Sequence, residues 1–250
     1  MNPILLIARK ESRELLGSGR GLAWLLALSA VLSVLGLLFV SNTELSLLDN
    51  AQVVTMELGT ITALGALLAV VLGSDAIAGE RERATLIPLL LSPARRTDIV
   101  LGKMGNQLVG WLVMYLIGLP YLWAVGSSGQ NLAQACAYLA LFGTPLVLGF
   151  GFLAQGLSSR AAAVRSALVP SLLALILLGG PVMLGPSFRQ SAIGSWLDRV
   201  NPFAAAINSF DSVVIDSQSL SAQLARLAIV LIWLAATAAF ARSSATSMNV

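Results

Sequence analysis

Histidine is absent from the 250-residue chain, and cysteine occurs only once, at Cys136. Because histidine is the commonest general base and metal ligand, a serine nucleophile would have no histidine to activate it. A single cysteine cannot form a disulfide or a thiolate metal site within one chain. The small net charge of +3 gives no support to nucleic-acid binding. We therefore expect no catalytic residue, metal or cofactor in this chain, and no nucleic-acid partner.

Charged residues are also scarce. They make up 11% of the chain, whereas 57% of the residues are hydrophobic and the mean hydropathy is +0.85. A soluble domain usually carries about a quarter charged residues. Several windows of about twenty residues carry no charge, which is the length of a helix that crosses a bilayer core of about 30 Å. The short alternating segments of a membrane barrel do not occur. The sequence therefore predicts an all-α, polytopic membrane protein.

Six apolar segments are predicted to span the membrane. The first lacks the cleavage pattern of a signal peptide, so we expect an uncleaved helix. In the second, Glu57 and Asp75 are far enough apart for each to lie near one interface. The sixth spans only if Arg226 and Arg242 extend their side chains toward water. The predicted spans are 21–41, 55–75, 100–125, 131–158, 163–185 and 222–242.

The loops between these spans differ in their basic residues. Twelve of the fifteen lysines and arginines fall on one side, and such an excess marks the cytoplasmic face. The opposite loops 42–54 and 126–130 have neither residue type. Both termini are therefore expected in the cytoplasm. Because every acid and base falls near a predicted interface or in a loop, we do not expect the coupling group of an ion-driven carrier.

Two further segments are amphipathic but are not predicted to span. Residues 1–20 are expected to form an interfacial helix whose basic side faces anionic headgroups, and a solvated tail is the alternative. Residues 186–221 suit two short helices, broken at Asn201-Pro202, that dip into the outer leaflet or cap the outer face; an ordinary external loop is the alternative. The apolar face of the first segment consists of Ile4, Ile7, Ala8, Leu15 and Leu16, and its basic residues are Arg9, Lys10 and Arg13.

Nine charged residues lie between residues 75 and 103, where the second and third predicted spans are joined. A short cytoplasmic helix is expected there, charged at Glu80 to Arg83 and apolar afterwards. Pro88 would interrupt its hydrogen bonding, and Thr97-Asp98 can cap the next helix. A helix lying on the membrane surface is the alternative, although its acids would face a negative inner leaflet.

This segment resembles the cytoplasmic loop of ABC-2 type permeases, and most closely the NosY-like branch that serves nitrous-oxide reductase maturation. The shared pattern is G-E-R-E, then T-L, S-P, an arginine and G-K, over about thirty residues. Ala84 stands where that family commonly has glycine. The remainder of the chain matches in layout. The matching positions are Gly79, Glu80, Arg81, Glu82, Thr85, Leu86, Ser92, Pro93, Arg96, Gly102 and Lys103.

The resemblance implies that residues 79–97 form a coupling loop that docks on a separate ATPase. Two ATPase subunits would bind ATP and magnesium, and two permease copies, expected to be a homodimer, would complete a transporter. An exporter in a bacterial inner membrane is the leading hypothesis. The alternative is a module that transmits energy to an external partner protein through 186–221 without moving a substrate. The residues expected to contact the ATPase are Glu80, Arg81, Glu82, Thr85, Leu86 and Leu89.

Overall fold

The structure, a computed structural model, describes residues 3–41, 50–126, 132–183 and 191–247. These residues form helices without any strand, in agreement with the predicted all-α class. Only a helix pairs every backbone N–H and C=O group within a single membrane-spanning segment. The helices are α1 (Pro3–Gly17), α2 (Gly19–Ser41), α3 (Asn50–Glu82), α4 (Leu86–Leu90), α5 (Arg96–Gly126), α6 (Leu132–Tyr138), α7 (Thr144–Arg160), α8 (Val164–Met183), α9 (Ala192–Val200), α10 (Pro202–Val214) and α11 (Leu224–Ser243).

Six helical segments within the described residues are long and apolar enough to cross a membrane, which confirms the six predicted spans. The second span is α3, which has 33 residues. At 1.5 Å per residue this helix is about 50 Å long, so it exceeds a hydrocarbon core of about 30 Å. The six segments are Gly21–Leu38, Ala51–Glu82, Arg96–Ala124, Leu132–Arg160, Val164–Val182 and Leu220–Thr246.

Helices α3 and α7 pack against each other through small residues. A Cβ atom at Gly73 would collide with the carbonyl oxygen of Gly151 and would lie 2.9 Å from the Cβ of Ala154. Membrane helices commonly approach this closely at small residues, because lipid supplies no hydrophobic force that drives helices together. The main apolar cluster surrounds this contact, and its largest fully buried side chains include Trp111, Phe142, Phe150 and Phe210.

Helix α1 is docked on α5. A Cβ atom at Gly102 would lie 2.7 Å from the Cβ of Ile7, and one at Gly105 would lie 3.0 Å from the Cβ of Ala8. Leu15 is buried as well. Most of the predicted apolar face of α1 therefore packs on the protein, whereas Leu16 of that face is 44% exposed. No local pattern in the sequence indicates this contact, because it depends on Gly102 and Gly105 in a distant helix.

Within the outer segment predicted at 186–221, residues 192–200 and 202–214 are helical, so an ordinary loop is excluded for these two parts, whereas residues 215–219 are not helical. Asn201 caps α10: its Oδ1 accepts a hydrogen bond from the backbone N–H of Phe203 at 2.9 Å, and its Nδ2 donates to the carbonyl oxygen of Leu178 at 2.7 Å. Leu178 lies within α8, so the start of α10 sits beside this span rather than above its end.

Arg226 does not extend toward water as predicted. Its Nη1 atom donates to the carbonyl oxygen of Asn208 at 3.0 Å, to the hydroxyl of Ser212 at 2.7 Å and to the side-chain oxygen of Gln223 at 2.7 Å. The guanidinium is therefore bonded inside the protein, because α10 supplies acceptors next to the start of α11. Arg242, at the other end of this span, is exposed as expected.

Glu57, near the start of the second span, faces the interior of the helix bundle. Its side chain is 0% exposed, and neither carboxylate oxygen has a hydrogen-bond partner in the part of the chain that the structure describes. The neighbouring Val54, Leu58 and Ile61 belong to the main apolar cluster. This acid is therefore buried within the helix bundle. Its depth near one interface stays a prediction, because burial against other helices does not give the position of a residue along the membrane normal.

Candidate functional site

The charged residues at 80–82 form the last turn of α3, and the short helix α4 that follows is apolar. The turn that ends α3 is a Schellman motif: the backbone N–H of Ala84 donates to the carbonyl of Arg81 at 3.1 Å, and that of Thr85 donates to the carbonyl of Glu80 at 2.9 Å. Ala84 has a φ of 57°, a conformation that glycine adopts without strain. This backbone geometry explains why glycine suits the position. A short helix is present as predicted, but its predicted charged start is wrong, because Glu80, Arg81 and Glu82 belong to α3.

Helix α4 has one side held in the protein and another side open. Leu86 is 3% exposed and packs in a second apolar cluster with residues of α3, α5 and the C-terminal end of α11. Ile87 and Leu91 are 49% and 81% exposed. Pro88 lies in the first turn of α4, where a backbone N–H has no partner within the helix. The predicted interruption at Pro88 is therefore wrong.

A buried ion cluster connects the end of α3 to α5 and α1. The Nζ atom of Lys103 lies 2.9 Å from Oε1 of Glu80 and 2.8 Å from Oε1 of Glu11. The Lys103 side chain is only 2% exposed. The hydroxyl of Thr85 donates to the other carboxylate oxygen of Glu80. Buried charges are stable only when they are paired and hydrogen-bonded, so these contacts fix the three helices relative to one another.

Gly79 leaves room for an ion pair on the outer side of α3. Nη1 of Arg83 lies 3.2 Å from Oδ1 of Asp75, and a Cβ atom at Gly79 would collide with that oxygen. Burial lowers the pKa of Arg83, but the hydrogen bonds and the charge of Asp75 raise it, and the net direction is upward. The pair lies about half exposed near the end of the helix.

Arg81 and Glu82 bind the loop that joins α7 to α8. Nη1 of Arg81 donates to the carbonyl oxygen of Ala161. Oε1 of Glu82 accepts a hydrogen bond at 2.8 Å from the backbone N–H of Val164, the first residue of α8. A carboxylate at this position satisfies a free N–H group and complements the helix dipole. The last turn of α3 is thus tied to α8.

Ser158 of α7 inserts its hydroxyl into the backbone of α3. Its Oγ accepts hydrogen bonds from the N–H groups of Ile77 at 3.1 Å and Ala78 at 2.8 Å, and it donates to the carbonyl oxygen of Ser74 at 2.7 Å. Ser74 is the residue whose carbonyl a regular helix pairs with Ala78. The Ser158 hydroxyl therefore bridges the carbonyl oxygen of Ser74 and the N–H of Ala78, and it bonds α3 to α7 just before the charged turn.

The other end of the segment is fixed at α5 and the C-terminal end of α11. Oδ2 of Asp98 accepts a hydrogen bond from the backbone N–H of Arg95 at 3.2 Å. Because α5 begins at Arg96, Thr97 and Asp98 lie in its first turn rather than at the predicted cap position. Nη1 of Arg96 donates to the carbonyl oxygen of Thr246 at 3.3 Å. Residues 79–97 are therefore held at both ends by named contacts.

The six residues predicted to contact an ATPase lie together in this segment but do not share an outward face. Glu80 and Leu86 are buried, Leu89 is half-buried, and Thr85 is exposed although its hydroxyl bonds Glu80. Arg81 and Glu82 bind the α7–α8 loop. The sequence interpretation missed the exposed Ile87 and Leu91. It also missed the ion pair between Glu11 and Lys103. The one signal for it in the sequence was the G-K motif, which contains Lys103.

These observations define an all-helical membrane protein with six spans, in which a short exposed helix projects between the second and third spans and is bonded to the rest of the bundle. The chain belongs to the ABC-2 family of transporter proteins, since the model described as "ABC-2 family transporter protein" matches residues 5–244.

Two curated relatives carry the same printed name, "Probable ABC transporter permease protein NosY". The match to the protein from Pseudomonas aeruginosa is 33% identical over 179 residues, and it covers 64% of this chain and 61% of that protein. The match to the protein from Stutzerimonas stutzeri is 36% identical over 115 residues, and it covers 44% of this chain and 40% of that protein. The matches therefore span less than two thirds of either relative.

Proposed function

We propose that this chain is the membrane-spanning permease subunit of an ABC transporter, an exporter, that is driven by separate ATPase subunits. Family membership and the names of both relatives support this proposal. The observation that carries it is the exposed apolar side of α4, which is attached to α3 and α5 at the end of a helix longer than the bilayer core. ATP and magnesium would be bound by the ATPase, and this chain would have no catalytic role.

The ATPase would dock on the exposed side of the segment 79–97. Ile87 and Leu91 would supply apolar contact, because interface cores are apolar and leave charged groups to the rim. The rim of this contact would be polar and charged, and it would set the docking orientation. It would consist of Thr85, Glu82 and the Arg83–Asp75 pair, which lie nearby in the chain. Glu80 and Leu86 would act from inside by holding α4 in place.

The contacts of this segment suggest how movement would reach the membrane. Lys103 and Glu80 join α3 to α5, Ser158 joins α3 to α7, and Glu82 joins α3 to α8. A displacement of α4 by the ATPase would therefore tilt several spans together. Two ATPases and two permease copies, as a homodimer, would make the complete transporter. The bias of basic residues supports a bacterial inner-membrane location with both termini in the cytoplasm.

Co-purification tests this proposal. A tagged copy of the chain is co-expressed with a candidate partner ABC ATPase, and the recovered ATPase is quantified for the unaltered chain and for Leu91→Asp. We expect at least a tenfold loss, because a carboxylate would be buried in the apolar contact. Leu220→Asp is the matched control, since Leu220 is also exposed, at 43%, but lies four residues before the start of α11. Full recovery of ATPase by a folded Leu91→Asp variant would contradict the proposal.

A second candidate function is energy transmission to an external partner protein without movement of a substrate. Helix α9 favours it, because Ile193, Trp196 and Val200 are 67%, 62% and 49% exposed. ATP-dependent transport into inverted membrane vesicles would support the exporter. ATP-dependent binding of an external protein that Trp196→Glu abolishes, without any transport, would support the second function.

A further inference from the structure

Docking on α5 determines which side of α1 faces away from the protein. The contacts of Ile7 with Gly102 and of Glu11 with Lys103 fix the rotation of the helix. The remaining positions point outward, and they combine exposed leucines with exposed cations. These residues are Leu5, Leu6 and Leu16, which are 68%, 44% and 44% exposed, and Arg9, Lys10 and Arg13. Such a mixture suits the bilayer boundary, where leucine side chains reach the acyl region and cations stay among the headgroups.

Two adjoining clefts lie along this outward side, near the turn into α2. The larger has a volume of about 570 Å³, and the smaller one has a volume of about 370 Å³. Arg9 and Arg13 line both clefts, whereas Leu6 lines the larger and Leu16 lines the smaller. All the lining residues belong to α1 and the turn that follows it, so the clefts are shallow and open, and guanidinium groups and leucines share one face of the helix. The remaining lining residues are Lys10, Ser12, Glu14, Gly17 and Ser18.

The charge in these clefts is not balanced by the protein. Nζ of Lys10 lies 3.9 Å from Oε1 of Glu14, so these two charges offset each other. No ion pair joins Arg9 or Arg13 to an acidic side chain among the residues that the structure describes. The two arginines are four residues apart, so they lie on the same side of the helix. Two planar guanidiniums in this arrangement match the oxygens of one phosphate group.

We propose that the clefts bind an anionic phospholipid, with Arg9 and Arg13 on the headgroup phosphate and Leu6 and Leu16 along the acyl chains. A lipid fits better than a free phosphate ion, because leucines form part of each cleft. The bound lipid would hold α1 at the membrane surface. Since Glu11 of the same helix bonds Lys103, a lipid bound to α1 would also affect the position of Glu11 in the ion cluster next to α4.

Native mass spectrometry of the purified full chain tests the site. The protein is extracted from nanodiscs that contain phosphatidylcholine and phosphatidylglycerol, and the phosphatidylglycerol retained per chain is counted. We expect the Arg9→Gln/Arg13→Gln variant to lose at least tenfold in apparent affinity. The matched control is Arg165→Gln/Arg242→Gln, which removes two exposed arginines at the ends of other spans and is expected to retain the lipid. If the double variant does not fold, each single variant replaces it, with a partial loss expected.

Two outcomes would overturn the site. Equal retention in the two double variants, whether both keep or both lose the lipid, would show that no specific site exists at Arg9 and Arg13. A thermal-shift series separates the two sources of phosphate: we expect stabilisation of the chain by phosphatidylglycerol and none by inorganic phosphate. Equal stabilisation by both would assign the clefts to a free anion instead.

Discussion

Lys103 lies where α1, α3 and α5 meet, and it is the only cation bonded to the two buried carboxylates described there. We expect Lys103→Met to reduce the free energy of unfolding by about 3–5 kcal/mol, because Glu80 and Glu11 would be left without their counter-ion. Glu11→Gln should lose much less, since the pair of Lys103 with Glu80 remains. Denaturation in mixed micelles measures both changes. Similar losses for the two variants would contradict the role assigned to Lys103.

Ala84 is a second residue for which the structure makes a testable prediction, because its backbone conformation is unusual for a residue with a Cβ atom. Its φ of 57° disfavours any residue with a Cβ atom, by about 1–2 kcal/mol. Glycine avoids this strain but loses about 0.4–1 kcal/mol through the freedom of the unfolded chain. We expect Ala84→Gly to raise the free energy of unfolding by up to about 1 kcal/mol.

Ala94→Gly is the control for this substitution, because Ala94 has no positive φ and the change should only destabilise, by about 0.4–1 kcal/mol. The same mixed-micelle denaturation compares the two variants. A loss of stability in Ala84→Gly as large as that in Ala94→Gly would show that the end of α3 is not strained.

Glu57 allows a test of the cost of burying a carboxylate that has no hydrogen-bond partner among the described residues. Leucine has a similar size and removes two carboxylate oxygens that are buried and unbonded within the described chain. Replacement of a buried polar group by an apolar one of similar shape is often stabilising, and an unsatisfied group costs about 1–3 kcal/mol. We therefore expect Glu57→Leu to unfold at a higher temperature than the unaltered chain. A lower unfolding temperature would mean that the carboxylate has a stabilising partner.

Local patterns predicted the positions of the motif residues but not their partners. Gly79, Glu80 and Lys103 were identified by the resemblance to the ABC-2 loop pattern, and each proved to make a defined contact. The bond between Glu11 and Lys103 joins residues 92 positions apart, and no local pattern shows such a pairing. For the same reason, the predicted ATPase contacts included Glu80 and Leu86, whose side chains turn inward, and omitted Leu91.

At the scale of elements, α3 depends on α7 for its position near the charged turn. We expect Ser158→Ala to destabilise the protein by about 0.5–2 kcal/mol, the range measured for hydrogen bonds between membrane helices. Ser159→Ala is the matched control: Ser159 is equally buried, but its hydroxyl bonds only Gln155 of its own helix, at 3.0 Å. Mixed-micelle denaturation of the two variants gives the comparison. Equal effects would contradict the proposed link between α3 and α7.

Spans were predictable because hydrophobicity is a property of the local sequence, whereas helix contacts were not. The six apolar segments appear as helices close to their expected bounds. The docking of α1 depends on Gly102 and Gly105 of α5, and the bonding of Arg226 depends on α10. Both contacts arise from which helices become neighbours, and this information lies outside any single segment of the sequence.

At the scale of the whole molecule, the family and the six spans agree with a permease, and the described contacts hold the segment 79–97 at both of its ends. Its exposed apolar side is not explained by the packing of this chain alone. An ATPase that covers Ile87 and Leu91 accounts for that exposure, and the bonds to α3, α5 and α8 account for how force would pass into the membrane.

Site-specific photocrosslinking tests this account most directly. A photoreactive amino acid is placed at Leu91, or at Leu220 as the control, and the chain is co-expressed with its ABC ATPase and irradiated in intact cells. The account predicts a covalent product of chain and ATPase from Leu91 and none from Leu220. A product from Leu220 alone, or products from Leu91 with lipid alone, would contradict it.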